Sequence, residues 1–347
     1  MTDVEINKLL NKYFENYSLK EQRVTLFMTT YKRPQYLKLA IESVLSQTYQ
    51  NFYVIVLDNM SQDNTQAVVS DFNDERIIYI ERESTKEMSN YSFSFNTCKT
   101  KYLIVLHDDD ILNNRYLERV VEEMDKHDDY SALSVGAHYI DSFGNALDGC
   151  SYKEPRIEYS GMEYCKTFLG MKIVNQIVFP SAIYRKDFYG DSFNFVCPAA
   201  GPASDQIIWF QTERFGGKIC ILGEDLFRYR IHNNQDSKRN AGKMEIILLN
   251  YLFGNDFYHD IIMQNKYCIS GYLKNVFKSA VVAYNQKAQK RKQVKEIVRL
   301  VNKDYLFSCK SKFWFGMLRF FSIFPQPLAF FANIIRKIKK KNHKVKG

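Results

Sequence analysis

The sequence has no Walker A motif and no G-x-G-x-x-G, so P-loop and classical dinucleotide folds lose the glycine-rich turns they need to cradle phosphate. Its 7 cysteines are scattered with no C-x-x-C pair, which argues against a zinc site or disulfide framework and fits a reducing compartment. The stretch from Met1 to Gln22 lacks the apolar core of a signal peptide, so a cytoplasmic location is expected. Acidic residues are absent from Tyr305 onward, where lysines crowd together at Lys337, Lys339, Lys340 and Lys341. That segment more than accounts for the net charge of +9, and the remainder is near neutral. A nucleic-acid binder would spread its basic patch over the folded body, so no nucleic-acid partner is expected.

What is present is a chain of 347 residues, 46% hydrophobic, long enough to bury a sizeable core. Strand-like and helix-like segments alternate from Val24 to about Ile231, the pattern of an α/β sheet. Val24–Thr29, Tyr53–Leu57, Arg76–Ile80, Tyr102–Leu106, Ala132–Ile140, Gln176–Tyr184 and Lys218–Leu222 read as strands. Pro34 suits the first turn of a helix whose apolar stripe is Leu37, Ala40, Ile41, Val44 and Leu45. Leu117, Val120, Val121 and Met124 make a second amphipathic helix, and Asp205–Phe215 a third. Residues 1–22 read as a helical extension with Ile6, Leu9, Leu10, Tyr13 and Phe14 on one face. Residues 23–233 form the α/β domain, 234–305 a helical region, and 306–347 a basic amphipathic tail. The stretch Asp148–Val174 is less regular and is expected to carry binding surface.

The segment richest in chemistry is Ile104-Val-Leu-His-Asp-Asp-Asp-Ile-Leu112, an apolar run that ends in three carboxylates. Such a run reads as a parallel strand covered on both faces, and ligands of open α/β sheets bind beyond the carboxyl ends of the strands. Adjacent acids repel each other unless a cation relieves them, and a divalent ion carrying substrate phosphates is one such relief. The alternative is a polar loop in which Asp110 or Asn113 caps the helix that follows. Asp58 ends the second strand, where it serves either a nucleotide pocket or its own turn at Asn59–Asn64. Asp205 stands just before a helix, as an N-cap or as a general base for an acceptor hydroxyl.

The order of these motifs resembles the family 2 glycosyltransferases, inverting enzymes of the GT-A fold, of the type that builds bacterial surface polysaccharides. The resemblance runs through Phe27-Met-Thr-Thr-Tyr-Lys-Arg-Pro34, Ser43-Val-Leu-Ser-Gln-Thr-Tyr49, Val56-Leu-Asp-Asn-Met-Ser61, Leu106-His-Asp-Asp-Asp-Ile-Leu112, Ser204-Asp-Gln206 and Tyr229-Arg-Ile-His232. It implies a Rossmann-like mixed sheet flanked by helices, with a helical C-terminal extension. It also implies a metal-dependent transfer, with Mg2+ or Mn2+, from a nucleotide-sugar donor to a glycan or polyprenyl-linked acceptor. By position, Thr29 and Tyr31 would contact the nucleotide, Asn90 would face the nucleotide sugar, Asp58 would bind the base, and Asp108 would share the D-x-D-type site with Asp109. Asp109 would be the direct metal ligand with Asp110 close by, His232 an additional ligand, and Asp205 the catalytic base. Two departures stand out: His107 replaces the first acid of the metal motif, and Ser204 replaces the glutamate that often precedes the base.

Phe313–Ile335 is apolar and aromatic, but Arg319 and Pro325-Gln-Pro327 interrupt it. Two short apolar helices among lysines fit insertion into an anionic membrane surface, which places the chain on the inner face of the cell membrane; the alternative is packing on its own core. A nucleotidyltransferase would use similar strand-end acids, yet here Tyr31-Lys-Arg-Pro34 follows the first strand instead of a Gly- and Arg-rich phosphate loop. A non-catalytic glycan- or nucleotide-binding module is the third reading.

Overall fold

The structure is a computed structural model that describes residues 3–16, 23–83, 89–169, 174–190, 204–211, 216–232, 243–264, 266–284 and 288–323. The chain divides into two compact units: Met1–Cys165, Val174–Pro198 and Asp205–Asn233 form the first, and Lys166–Ile173, Ala199–Ser204 and Asn234–Gly347 the second.

The first unit is built on a 10-stranded mixed sheet. Its strands are β1 (Val24–Thr30), β2 (Phe52–Asp58), β3 (Ile77–Glu81), β4 (Tyr102–His107), β5 (Ile111–Leu112), β6 (Tyr130–Ile140), β7 (Ala146–Cys150), β8 (Arg156–Ser160), β9 (Ala182–Arg185) and β10 (Lys218–Arg230). The spatial order is β3-β2-β1-β4-β9-β6-β10-β5, with β7 beside β6 and β8 beside β10. β1 to β4 are mutually parallel where they pair, whereas β9 runs antiparallel to both β4 and β6. Every residue of β2 is buried, as expected of an apolar run covered on both faces.

Helices α1 (Asp3–Asn16), α2 (Pro34–Leu45), α3 (Thr65–Ser70), α4 (Asn90–Thr97), α5 (Tyr116–Lys126), α6 (Gly161–Leu169) and α7 (Ser204–Gln211) complete the described helices up to His232. Pro34 sits in the first turn of α2, where its missing N–H costs nothing, and Leu37, Ala40, Ile41 and Val44 are buried. α5 buries Leu117, Val120, Val121 and Met124 in the same way. α1 packs Ile6, Leu10 and Phe14 inward, with the Phe14 and Tyr53 rings 5.6 Å apart, but Leu9 is exposed.

Three segments differ from the sequence reading. The strand expected over Gln176–Tyr184 is confined to Ala182–Arg185, because Phe179–Ser181 forms a 3-10 turn around Pro180, which has no N–H to give a ladder. The strand expected to stop at Leu222 continues to Arg230 through register shifts at Leu222/Asp225 and Asp225/Phe227, so bulges carry it past Gly223. Within Asp148–Val174, the irregular reading missed β8 and α6, and β7 ends inside it.

The second unit is helical: α8 (Lys243–Phe253), α9 (Asp256–Gln264), α10 (Lys266–Tyr284), α11 (Ala288–Leu300) and α12 (Cys309–Ile323). Leu273 and Phe277 of α10 and Leu318 of α12 are buried, and the Phe277 and Phe315 rings lie 5.5 Å apart. Among the described residues no helix is long and apolar enough to cross a membrane. The second apolar segment of the tail, with Pro325 and Pro327, lies outside the described residues.

Candidate active site

Parallel pairing in register brings three strand ends to one edge of the sheet, since Thr30 is opposite Asp58 and Thr29 is opposite His107. β10 reaches the same edge from the far side of the sheet. It ends at Arg230 beside Ile140, and its antiparallel pairing with β5 sets Arg228 opposite Ile111, next to the acid run.

The three aspartates, adjacent in sequence, have separate surroundings. Asp108 is 1% exposed; its Oδ2 accepts from Thr30 Oγ1 at 2.7 Å and from the Tyr31 N–H at 3.4 Å, and its Oδ1 lies 3.3 Å from Arg33. Asp109 Oδ2 meets Arg33 Nη1 at 2.7 Å and His232 Nε2 at 2.8 Å. Asp110 Oδ1 accepts from the Arg230 N–H at 2.9 Å, while Oδ2 is buried with no hydrogen-bond partner. The capping alternative for Asp110 therefore fails. The helix α5 starts at Tyr116, and it is Asn113 whose side chain accepts from the Arg115 N–H at 3.1 Å.

These surroundings set the protonation tendencies. Burial pushes the Asp108 carboxyl up to about 7, with Arg33 pulling the other way and the Asp109 charge adding to the rise. Burial also works against charge at Asp109, but His107, Arg33 and His232 overcome it and hold that carboxyl below its ordinary range. Asp110 is pushed well above the carboxylate range by burial and by the neighbouring Asp109 charge. One ionised acid thus lies between two groups that hold protons more tightly.

His107, Asp109 and Asp110 each offer a ligand atom within 4.8 Å of the others. An imidazole and two carboxylates, one of which (Asp110) has a buried oxygen without a hydrogen-bond partner, are a donor set that fits a divalent cation. The Tyr91 hydroxyl lies 3.1 Å from His107 Nε2, a contact of the kind that orients ligating imidazoles.

Asp58 is 1% exposed and already engaged. Its Oδ1 accepts from the Ser61 N–H at 3.1 Å and from the Ser61 hydroxyl, and its Oδ2 accepts from the Tyr79 hydroxyl at 2.6 Å. Burial and these carboxylate contacts raise the Tyr79 hydroxyl above its ordinary pKa. Ser61 Oγ also accepts from the Lys32 N–H at 2.9 Å, tying the loops after β1 and β2 together. Lys32, Met60 and Gln62 in those loops have φ of 54°, 57° and 53°, a left-handed backbone that non-glycine residues seldom adopt and that clusters at functional sites.

Asn90 opens α4 and is buried; its Oδ1 accepts from Arg82 Nη1 at 2.6 Å, and the Arg82 N–H donates to the Asp58 carbonyl at 2.9 Å. Tyr31 is 48% exposed, with Lys32 Nζ 5.2 Å from its ring centroid. Asp205 lies in the first turn of α7, and its side chain falls outside the described residues.

Arg33, Arg230, Thr30, Tyr79 and Arg82 were not singled out in the sequence. Arg230, 1% exposed, donates through Nε to the Asp109 carbonyl at 2.7 Å and through Nη1 to the Asp141 carbonyl at 3.0 Å, with its guanidinium 4.7 Å from the Tyr36 ring centroid. Arg33 and Arg230 do lie inside quoted motifs, and two arginines flanking an acid-rich site were the signal available.

The arrangement, a mixed sheet presenting an acid cluster at one edge, is that of the GT-A glycosyltransferases. The Glycosyl transferase family 2 model matches residues 25–192, the stretch that runs from β1 to β9 and holds the acid run. It is 28% identical over 231 residues to an uncharacterised glycosyltransferase of Methanocaldococcus jannaschii, covering 64% of this chain and 76% of that one. A second uncharacterised glycosyltransferase, from Haemophilus influenzae, is 26% identical over 222 residues, covering 62% and 67%. The crystal structure of S. aureus TarS 1-349 in complex with UDP superposes with a TM-score of 0.62 at 13% identity, covering 92% of each chain. The same fold is seen in its complex with UDP-GlcNAc, at the same TM-score and coverage.

Proposed function

We propose that the chain moves a sugar from a UDP-linked donor to a hydroxyl of a glycan or polyprenyl-linked acceptor, with inversion, in surface-polysaccharide synthesis at the inner face of the cell membrane. The observation that carries this reading is the convergence of Asp58 and Asp108–Asp110 on one sheet edge, faced by Arg33 and His232. The UDP and UDP-GlcNAc complexes of the structural neighbour support the choice of donor.

In this reading the nucleobase adds an N–H to Asp58 Oδ2, because that oxygen carries two lone pairs and the Tyr79 hydroxyl uses one, whereas Oδ1 already accepts twice from Ser61. Thr29, Tyr31, Asn90 and Asp108 border the ribose and the sugar. Asp109 is the direct ligand of Mg2+ or Mn2+, with Asp110 and His232 beside it. When bound, the ion supplies positive charge against the diphosphate leaving group. Asp205 takes the proton of the acceptor hydroxyl as that oxygen bonds to the anomeric carbon, and the bond from that carbon to the diphosphate breaks on the opposite face.

The test is a sugar-transfer assay with Asp205→Asn. Loss of a general base should lower turnover by about 10²–10⁴-fold while donor affinity, followed by calorimetry, stays within about threefold. Lost donor binding with transfer of residual donor intact would remove Asp205 from the base role. Donor choice is read by thermal shift over a panel of sugar nucleotides, since ligands that bind only the native state raise its stability.

His107 bears on metal preference. Imidazole favours later first-row ions, and Mg2+ favours all-oxygen sites, so the site should bind Mn2+ more tightly than Mg2+. His107→Asp should shift the Mn2+-to-Mg2+ affinity ratio towards Mg2+ by about tenfold or more, measured by calorimetry in the presence of UDP. An unchanged ratio would mean that His107 is no ligand.

A further inference from the structure

We propose that α12 is a docking surface for an anionic lipid bilayer, and that it lies in the membrane interface by its outer face. This deepens the peripheral-membrane part of the reading above and names the element responsible.

The helix has two different sides. Ser311, Phe315, Leu318 and Phe321 are buried, and Phe315 meets Phe277 of α10 at 5.5 Å. On the opposite side Phe313 is 59% exposed, Phe320 47% and Ile323 61%. With 3.6 residues per turn, Phe313, Gly316, Met317, Phe320 and Ile323 share one sector of the helix, at i, i+3, i+4, i+7 and i+10. Gly316 has open space where a Cβ would stand, so the sector is uncovered along its middle. Lys312 and Arg319 bound the stripe on one side and Lys310 on the other; all three are exposed.

The sequence expectation set insertion against packing on the core, but α12 does both with opposite faces. Burying one side fixes the helix, so the aromatic stripe faces outward without ordering a free segment. A 15-residue helix is about 22 Å long, short of the roughly 30 Å hydrocarbon core. It therefore suits the interface plane, where Phe and Ile enter the acyl boundary and Lys and Arg extend to the headgroups.

Charge selects the occupant. From Tyr305 onward the sequence has ten lysines and arginines and no acid, which attracts phosphatidylglycerol-type surfaces. Two copies of this chain meeting on this face would bring like charges together.

The experiment uses the full chain and sedimentation with large vesicles. Partition should be at least tenfold stronger on 1:1 phosphatidylglycerol:phosphatidylcholine than on pure phosphatidylcholine, and should fall as salt rises. The double variant F313S/F320S alters only exposed side chains and should lose at least tenfold of this partition with an unchanged thermal melt. Trp314 lies beside the stripe and should be quenched by brominated acyl chains, whereas Trp209, fully buried in the other unit, should not.

Wild-type partition equal on both vesicles, wild-type partition kept by F313S/F320S, or Trp314 left unquenched would each overturn the proposal. Concentration-dependent dimerisation abolished by the double variant, without vesicle binding, would overturn it in favour of a second copy. UDP-sugar binding is measured in parallel, without lipid. If vesicle binding fails while donor binding persists, only the docking surface falls; the converse outcome removes the sugar-transfer reading alone.

Discussion

Asp109→Asn should reduce sugar transfer by about 10²–10³-fold, the cost of removing one group that stabilises charge as it develops on the leaving group. Among the three clustered acids this is the one held below its ordinary carboxylate range, and it faces two basic side chains at 2.7 and 2.8 Å. It is also the acid that joins β4 to both ends of the site, through Arg33 from the β1 loop and His232 after β10. The change should leave the fold in place, because Arg33 is 37% exposed and keeps Asp108 at 3.3 Å. Removing the Asp109 charge also relieves the repulsion that raises Asp108 and Asp110. Steady-state rates with saturating donor, a thermal melt and metal affinity in the presence of UDP check all three points. Transfer within threefold of wild type would remove Asp109 from the reaction.

Arg230→Met should be the most damaging single change to stability, at about 3–5 kcal/mol in denaturant unfolding. Methionine matches much of the side-chain volume, so the loss is electrostatic and not a cavity. Arg230 is 1% exposed; its guanidinium satisfies the Asp109 and Asp141 carbonyls and stacks on Tyr36. Without it, two carbonyls lose a donor inside the protein and the acid run loses a nearby positive charge. A lysine cannot restore two divergent N–H contacts, so Arg230→Lys should recover less than half of the loss. A change below about 1 kcal/mol would show that solvent reaches those carbonyls.

The parts of the site that depend on local pattern were legible in the sequence. The run Tyr102–Leu106 reads as a doubly covered strand because every residue in it is apolar, and an acid cluster directly after such a strand has few structural uses. The division of roles within the cluster was not legible. Asp108, Asp109 and Asp110 are distinguished by Thr30, His232 and Arg230, which come from β1, from beyond β10 and from the end of β10. Those contacts depend on sheet order and on the bulges that lengthen β10, and no short window of sequence encodes either. The same holds for Asp58. Its turn partner Ser61 is three residues away and could be foreseen, but Tyr79 is reached only through the β2–β3 register. The strand expected over Gln176–Tyr184 starts too early for the opposite reason, since apolar composition outweighed the single proline that breaks the ladder ahead of Ala182.

The contacts from Arg230 and His232 to the acid run span 120 residues or more. On a ribosome adding 5–20 residues per second, Asp109 and Asp110 are synthesised on the order of 10 s before His232 and Arg230, their partners from the end of the first unit. Throughout that interval Thr30 and Arg33 can engage Asp108 and Asp109, but Asp110 has no partner for its Oδ1, so this edge stays incomplete. β10 thus supplies the last-synthesised partners of this edge, and slowing translation after Asp110 should prolong the chain's exposure to proteases and chaperones more than slowing it after Arg230.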